Sequence, residues 1–163
     1  MLIELKNKDT LIIDDFKLRC CIGKKGINKK KKEGDKSTPC GTFKIGDVYY
    51  RPDRVQKPQA NLKCKKIERY MGWCNDTSSK FYNNKIKINK KIKHEKLFRS
   101  DYKYNYLVII HYNHPNPILG AGSAIFIHLT KDYTPTAGCI GLKKKDLLIL
   151  IKLIDRKTKI KIS

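Results

Sequence analysis

The sequence lacks the features that mark several protein classes. None of its six cysteines forms a CxxC pair, which argues against a zinc site with standard spacing. No apolar run approaches the ~18 residues that span a bilayer. The N-terminus has no basic start followed by an apolar stretch and a small-residue cleavage site, so no secretory signal is visible. The expectation that remains is a soluble globular protein.

The charge is strongly one-sided. The formal net charge is +22 and the sequence pI is about 9.8, which alone predicts an anionic partner such as nucleic acid. Lys far outnumbers Arg, however, and specific phosphate and base recognition favours Arg. The joint excess of Lys, Ile, Asn and Tyr is also the bias of an AT-rich coding sequence. We therefore interpret most lysines as solvated and expect no specific nucleic-acid partner.

Length and hydrophobic patterning predict one mainly β domain. The chain has 163 residues, 40% of them hydrophobic, which suits a single domain over residues 1–163. Short apolar or alternating runs predict strands. These cover residues 1–13 (two strands), 16–22, 42–50 (a pair with a turn near Gly46-Asp47), 106–110, 124–128 and 160–162. The pattern predicts a mainly β fold.

Other segments are predicted as helix or loop. Leu147, Leu150, Ile151 and Ile154 stand at helical spacing and predict a helix after Cys139. Residues 23–36 are rich in glycine and lysine, and residues 70–84 are polar, so both are expected to be loops.

A histidine and a cysteine stand near each other in the C-terminal part. His128 ends the strand predicted over 124–128, and Cys139 follows Gly138 after a short loop. A thiolate is the attacking species in cysteine catalysis, and a neighbouring imidazole can take its proton and return it to a leaving amine. The backbone N–H groups of Gly138 and Cys139 are candidates for holding an oxyanion. An isolated histidine and cysteine at this spacing more often belong to a hydrophobic core. The spacing therefore leaves both a catalytic and a structural interpretation open.

Two motifs add specificity. Behind His128, residues 136–140 read TAGCI, and far upstream residues 33–43 read EGDKSTPCGTF. The first resembles a signature of His, a variable loop and Ser/Thr-His-Gly-Cys, and the second resembles a G-D…T-P-x-G-x-F stretch. Both belong to the L,D-transpeptidase catalytic domain, the YkuD-like family. The resemblance covers about the whole chain and implies that family's mixed β-sandwich with one or two helices, one of them after Cys139.

Three positions depart from the family pattern. Ala137 replaces a usual second histidine, Gly141 replaces a usual Asn or Arg, and Leu129 follows His128 where Gly or Ser is common. No side chain at position 129 can orient the imidazole, so we expect a backbone carbonyl near 129 to do so. Ala137 leaves open whether an amine or water accepts the acyl group.

Five further residues are candidates for substrate contact: Thr136, Phe126, Tyr112, Trp73 and His94. Tyr112 follows a buried strand and could hydrogen-bond substrate or belong to a polar loop. Trp73 could stack on a sugar or peptide, or anchor a loop to the core. His94 could add a polar group to the site or lie on the surface.

The resemblance implies a cysteine enzyme that needs no metal and no cofactor. Cys139 would attack a carbonyl of a peptidoglycan stem peptide or precursor, at the L-centre of a diamino acid, and His128 would protonate the departing D-alanine. An amine of a second stem peptide would then resolve the thioester into a crosslink. Carbapenem β-lactams would acylate the same thiol. The implied location is the periplasm or cell envelope, although without a visible export signal a cytoplasmic substrate stays open. A monomer is expected.

Two other functions remain open at this stage. If water resolves the thioester, the protein is an L,D-carboxypeptidase or murein hydrolase that uses the same Cys139 and His128. A rival of another class is a basic binding module for nucleic acid or an anionic wall polymer, with the motif residues merely structural. This rival explains neither motif.

Overall fold

The computed structural model describes residues 1–29 and 32–163, so the middle of the predicted lysine-rich loop lies outside the described residues. The helix in the described part is α1 (Lys144–Leu153). The strands are β1 (Leu2–Lys6), β2 (Thr10–Ile13), β3 (Phe16–Cys21), β4 (Ile27–Asn28), β5 (Thr38–Pro39), β6 (Gly41–Tyr50), β7 (Cys64–Lys66), β8 (Met71–Cys74), β9 (Lys85–Lys87), β10 (His94–Lys96), β11 (Tyr106–Ile110), β12 (Phe126–Leu129), β13 (Ile140–Leu142) and β14 (Lys159–Ile162).

Nine strands form one sheet, in the order β11-β12-β13-β3-β2-β1-β14-β6-β7. Strand β11 pairs antiparallel with both β12 and β6, so the sheet closes on itself around a barrel-like core. A three-stranded sheet (β10-β8-β9) and a two-stranded sheet (β4-β5) lie beside it. The mainly β prediction is confirmed, and closure through β11 takes the place of two separate facing sheets.

Two hydrophobic clusters lie on opposite faces of β11 and β12. Successive strand residues point to opposite faces, and β11 accordingly sends Val108 into a large cluster and Leu107 into a smaller one. We call the larger cluster the barrel core and the smaller one the site-side core. Helix α1 packs on the barrel core through Leu147, Leu150 and Ile151. The helix predicted from their spacing is confirmed.

The prediction of a turn near Gly46-Asp47 is wrong, because β6 runs unbroken through both residues. Its first half pairs with β14 and its second half with β11, where the register shifts between Val108 and Ile110. A Cβ at Gly46 would lie 2.7 Å from the Nε2 atom of His111. Glycine is therefore needed here for close approach at a bulge, and not for a turn.

The loop predicted over 70–84 is only partly a loop. Its first part forms β8, the central strand of the three-stranded sheet, and the rest is a turn-rich connection to β9. Strand β8 alternates half-buried and buried residues, a pattern hidden by its polar neighbours. Within the described residues, no helix is long and apolar enough to cross a bilayer.

Candidate active site

Strand register brings His128 and Cys139 to one face of the sheet. Strands β12 and β13 are parallel neighbours, with His128 opposite Gly141. Cys139 lies two residues before Gly141 and therefore points to the same face as His128. Both side chains are buried, with 6% and 8% of their surface exposed. Cys139 belongs to the site-side core, beside Phe126.

The His128 ring is oriented by a backbone carbonyl. Its Nδ1 atom lies 2.9 Å from the carbonyl oxygen of Leu129. A carbonyl oxygen can only accept, so Nδ1 carries the hydrogen and Nε2 of the neutral ring is an acceptor. The structure thus contains the backbone contact that the sequence led us to expect near position 129.

Burial keeps His128 neutral. Desolvation lowers the pKa of the imidazole to about 4, against the opposing effect of its hydrogen bond to Leu129, and the positive charges of Lys103 and Arg99 lower it further. At neutral pH the ring is therefore uncharged and able to accept a proton. A buried imidazolium would release that proton readily.

The Cys139 thiol is held by two backbone groups. Its Sγ atom donates to the carbonyl oxygen of Ala124 at 3.3 Å, and the N–H of Phe126 donates to Sγ at 3.4 Å. Ala124 has a φ of +55°, a left-handed conformation that is uncommon for a non-glycine residue. Its N–H donates to Oδ1 of Asn83 at 3.1 Å, which fixes this conformation.

The Thr136 side chain fastens the turn before Cys139. Its Oγ1 atom donates to the carbonyl oxygen of Cys139 at 2.6 Å and accepts from the N–H of Gly138 at 3.1 Å. The Gly138 carbonyl in turn accepts from Oγ1 of Thr38 at 2.9 Å, which links the two motifs directly. The Gly138 N–H, expected from the sequence to hold an oxyanion, is therefore already engaged by Thr136.

A cavity of about 590 Å³ opens over these residues. His128, Cys139, Thr136, Ala137 and Ala124 all line it. Among the described residues, its charged lining comprises three acids and three bases, namely Glu33, Glu95, Asp132, Lys93, Arg99 and Lys103. The local charge is thus balanced, in contrast with the +22 of the whole chain. Within the described residues, no cluster of three His, Cys, Asp or Glu side chains is placed to hold a metal ion.

Four of the predicted substrate-contact residues do not line this cavity. The Tyr112 hydroxyl donates to the carbonyl oxygen of Ala121 at 2.6 Å. Trp73 donates to Oδ1 of Asn83 at 3.0 Å and packs edge-on against Phe126, so it anchors its strand to the site-side core.

The remaining two residues, His94 and Phe126, also lie outside the cavity lining. His94 lies on β10, with Nδ1 2.7 Å from the carbonyl oxygen of Ile92. The Phe126 side chain is fully buried, and its N–H donates to the thiol.

Tyr104 and Glu33 line the cavity but were not singled out from the sequence. The Tyr104 ring lies edge-on to His128, with centroids 5.4 Å apart, and its hydroxyl donates to Glu95. Tyr104 stands in a polar stretch with no periodicity to mark it. Glu33 opens the upstream motif, which was the only signal for it.

Close packing explains why residue 141 is a glycine. A Cβ there would lie 2.6 Å from Sγ of Cys21 and 3.1 Å from Cβ of Thr130. The neighbouring strand β3 carries Cys21 directly opposite Gly141. The Asn or Arg usual in the resembling family therefore does not fit beside Cys21.

We expect Gly141→Ala to destabilise the protein by about 1–3 kcal/mol through overpacking. Urea unfolding followed by circular dichroism would measure the loss. Because Cys21 causes the clash, Cys21→Ala should recover part of the stability in the double variant. A Gly141→Ala protein as stable as the wild type would contradict this account.

Comparison with known protein families gives a match over nearly the whole chain. The model of the L,D-transpeptidase catalytic domain, YkuD, matches residues 2–162, nearly the whole chain. No curated protein matches the sequence. The matched region contains both motifs, the barrel and every residue that lines the cavity.

Proposed function

The chain belongs to the L,D-transpeptidase catalytic domain family, and from this we propose that it is a cysteine acyltransferase acting on peptidoglycan stem peptides. The family acts on peptidoglycan and is typically associated with the cell envelope. In our proposal residues 1–163 form one catalytic domain, with Cys139 as nucleophile and His128 as base. The observation that carries it is the placement of a neutral His128 and Cys139 on one face of the sheet, in one cavity.

Acylation begins with proton transfer. Nε2 of His128 takes the thiol proton, and the thiolate keeps the N–H of Phe126 as a donor. The sulfur attacks the carbonyl carbon at the L-centre of the stem peptide's diamino acid, and a C–S bond forms. The C–N bond to D-alanine breaks, and the proton passes from the imidazolium to the leaving nitrogen.

Deacylation completes the reaction. The amine of a second stem peptide attacks the thioester carbonyl, a C–N bond forms and the C–S bond breaks, which gives the crosslink. His128 accepts the amine proton and returns it to the released Cys139 thiolate. A single observation favours water as an alternative acceptor. Ala137, which lines the cavity and is exposed, has no side-chain group to bind an incoming amine, where the family usually has a histidine. The second candidate is therefore an L,D-carboxypeptidase.

Product analysis tests the proposal and separates the two outcomes. The protein is incubated with a defined tetrapeptide that ends in D-alanine, with and without an acceptor stem peptide, and products are identified by mass spectrometry. We expect release of D-alanine and, with acceptor, a crosslinked dimer. Tripeptide alone in both reactions would support the carboxypeptidase.

Product analysis together with a DNA-binding assay tests the binding-module alternative. The cavity lining is balanced in charge, which does not favour a polyanion there. If no tetrapeptide is consumed, and if salt-dependent DNA binding persists in the Cys139→Ala variant, the enzyme proposal fails and the basic binding module replaces it.

A further inference from the structure

Glu33 is a carboxylate fixed in the wall of the proposed reaction cavity. Its Oε2 atom accepts hydrogen bonds from the Tyr82 hydroxyl at 2.5 Å and from Oγ of Ser123 at 2.7 Å. Its N–H donates to the carbonyl oxygen of Gly120 at 2.6 Å. Side chain and backbone are thus held against residues 120–123 and Tyr82.

The groups that hold Glu33 are themselves buried. Tyr82 is fully buried and Ser123 is 3% exposed. The Tyr82 oxygen accepts the N–H of Gly122 at 2.8 Å. Burial and the negative charge of Glu33 both raise the pKa of the Tyr82 hydroxyl, so it stays protonated and remains a donor. The carboxylate is therefore oriented by a rigid network.

This network orients Glu33 without neutralising it. Both donors to Oε2 are uncharged hydroxyls. Among residues 1–29 and 32–163, no cation lies within ion-pair distance of Glu33. Glu95, which also lines the cavity, differs because it accepts from Tyr104 and lies 3.8 Å from Arg99. A fixed negative charge in a partly enclosed cavity favours a cationic group of the ligand.

We propose that Glu33 binds the free side-chain ammonium of the donor stem peptide's diamino acid and so selects donors with an unmodified amine. This inference rests on the proposed function, because it takes the stem peptide as the ligand of the cavity. A carboxylate serving only to hold the loop would be replaceable by an amide of the same shape. An ammonium receptor needs the charge.

Acylation by two donor peptides tests the charge requirement. One tetrapeptide carries the free side-chain amine and the other carries it acetylated, and first-turnover release of D-alanine is measured without acceptor. Glu33→Gln should lower kcat/KM for the free-amine donor on the order of 10- to 100-fold, the loss expected for one charge-assisted contact. The acetylated donor should be affected less than about twofold. In the wild type the free-amine donor should be preferred.

Asp35→Asn is the matched control. Asp35 lies two residues away and does not line the cavity, and its Oδ1 accepts the N–H of Ser37 at 3.0 Å, which the amide oxygen can still do. The same charge is lost from the same loop, so both donors should react as with wild type. Equal loss on both donors in Glu33→Gln, or no loss on either, would overturn the proposal.

Binding separates this inference from the proposed function. Calorimetric titration of Cys139→Ala protein with the two peptides needs no turnover. Tighter binding of the free-amine peptide, lost in a Cys139→Ala/Glu33→Gln protein, supports the ammonium site even if the wild type never releases D-alanine. Equal affinity for both peptides, or no binding, overturns it. A failure of the chemistry alone would appear as binding without D-alanine release.

Discussion

Replacing Cys139 with alanine should lower D-alanine release from a tetrapeptide by roughly 10³-fold or more, because Cys139 is the proposed nucleophile and no other thiol is among the described residues that line the cavity. The same variant should give no adduct with a carbapenem, whereas the wild-type protein should gain the mass of one acyl group in intact-mass spectrometry. Alanine removes the hydrogen bonds of Sγ to Ala124 and Phe126, so circular dichroism and a melting curve should accompany the assay.

Cys40 supplies the control for nonspecific reaction. It is an exposed thiol within the upstream motif and does not line the cavity. Cys40→Ala should keep both the adduct and the turnover. An adduct that persists in Cys139→Ala but disappears in Cys40→Ala would contradict the assignment of the nucleophile.

The second large effect concerns His128, the proposed base. His128→Gln keeps a polar side chain of similar reach but cannot exchange a proton, so kcat should fall by about 10²–10⁴-fold. Steady-state release of D-alanine measures this change. His114→Gln is the matched control, because His114 is exposed and lies outside the cavity lining. A His128→Gln enzyme with wild-type kcat would exclude His128 as the base.

The pH dependence of protein stability should also depend on His128. The pKa of His128 is about 4 in the folded protein, below the ~6.5 of an unfolded histidine. As pH falls from about 6.5 to 4, the unfolded chain binds a proton that the folded protein does not, so stability drops. Between pH 7 and pH 5 the wild type should lose about 2 kcal/mol more than His128→Gln in urea unfolding. Parallel pH profiles would show that His128 does not titrate this way.

Local patterns explain which parts of the fold could be predicted from the sequence. Strand β11 is a continuous apolar run, and the α1 residues repeat at helical spacing, so both could be predicted locally. Strand β8 was missed because its alternation is weak and its partners are polar short strands. Gly46-Asp47 resembles a turn, but long-range pairing with two different strands overrides that local preference.

The candidate site could also be predicted only in part from the sequence. The motifs name Cys139 and His128, and the structure brings both to one cavity. The roles of Tyr104 and Glu33 depend on contacts between residues distant in sequence, such as Glu33 with Ser123 and Tyr104 with His128. The helix predicted after Cys139 does not begin at the thiol, because β13 lies between Cys139 and α1. Such relations follow from register and closure, which no local pattern carries.

The orientation of His128 by the Leu129 carbonyl has an evolutionary consequence. Every amino acid at position 129 presents a carbonyl oxygen, so substitution there cannot delete the acceptor. Selection on residue 129 then reduces to what fits the barrel core, where Leu129 packs. A lineage can drift among residues of suitable size at this position while the imidazole keeps its tautomer. Main-chain support of this kind uncouples the chemistry of a base from the identity of its sequence neighbour.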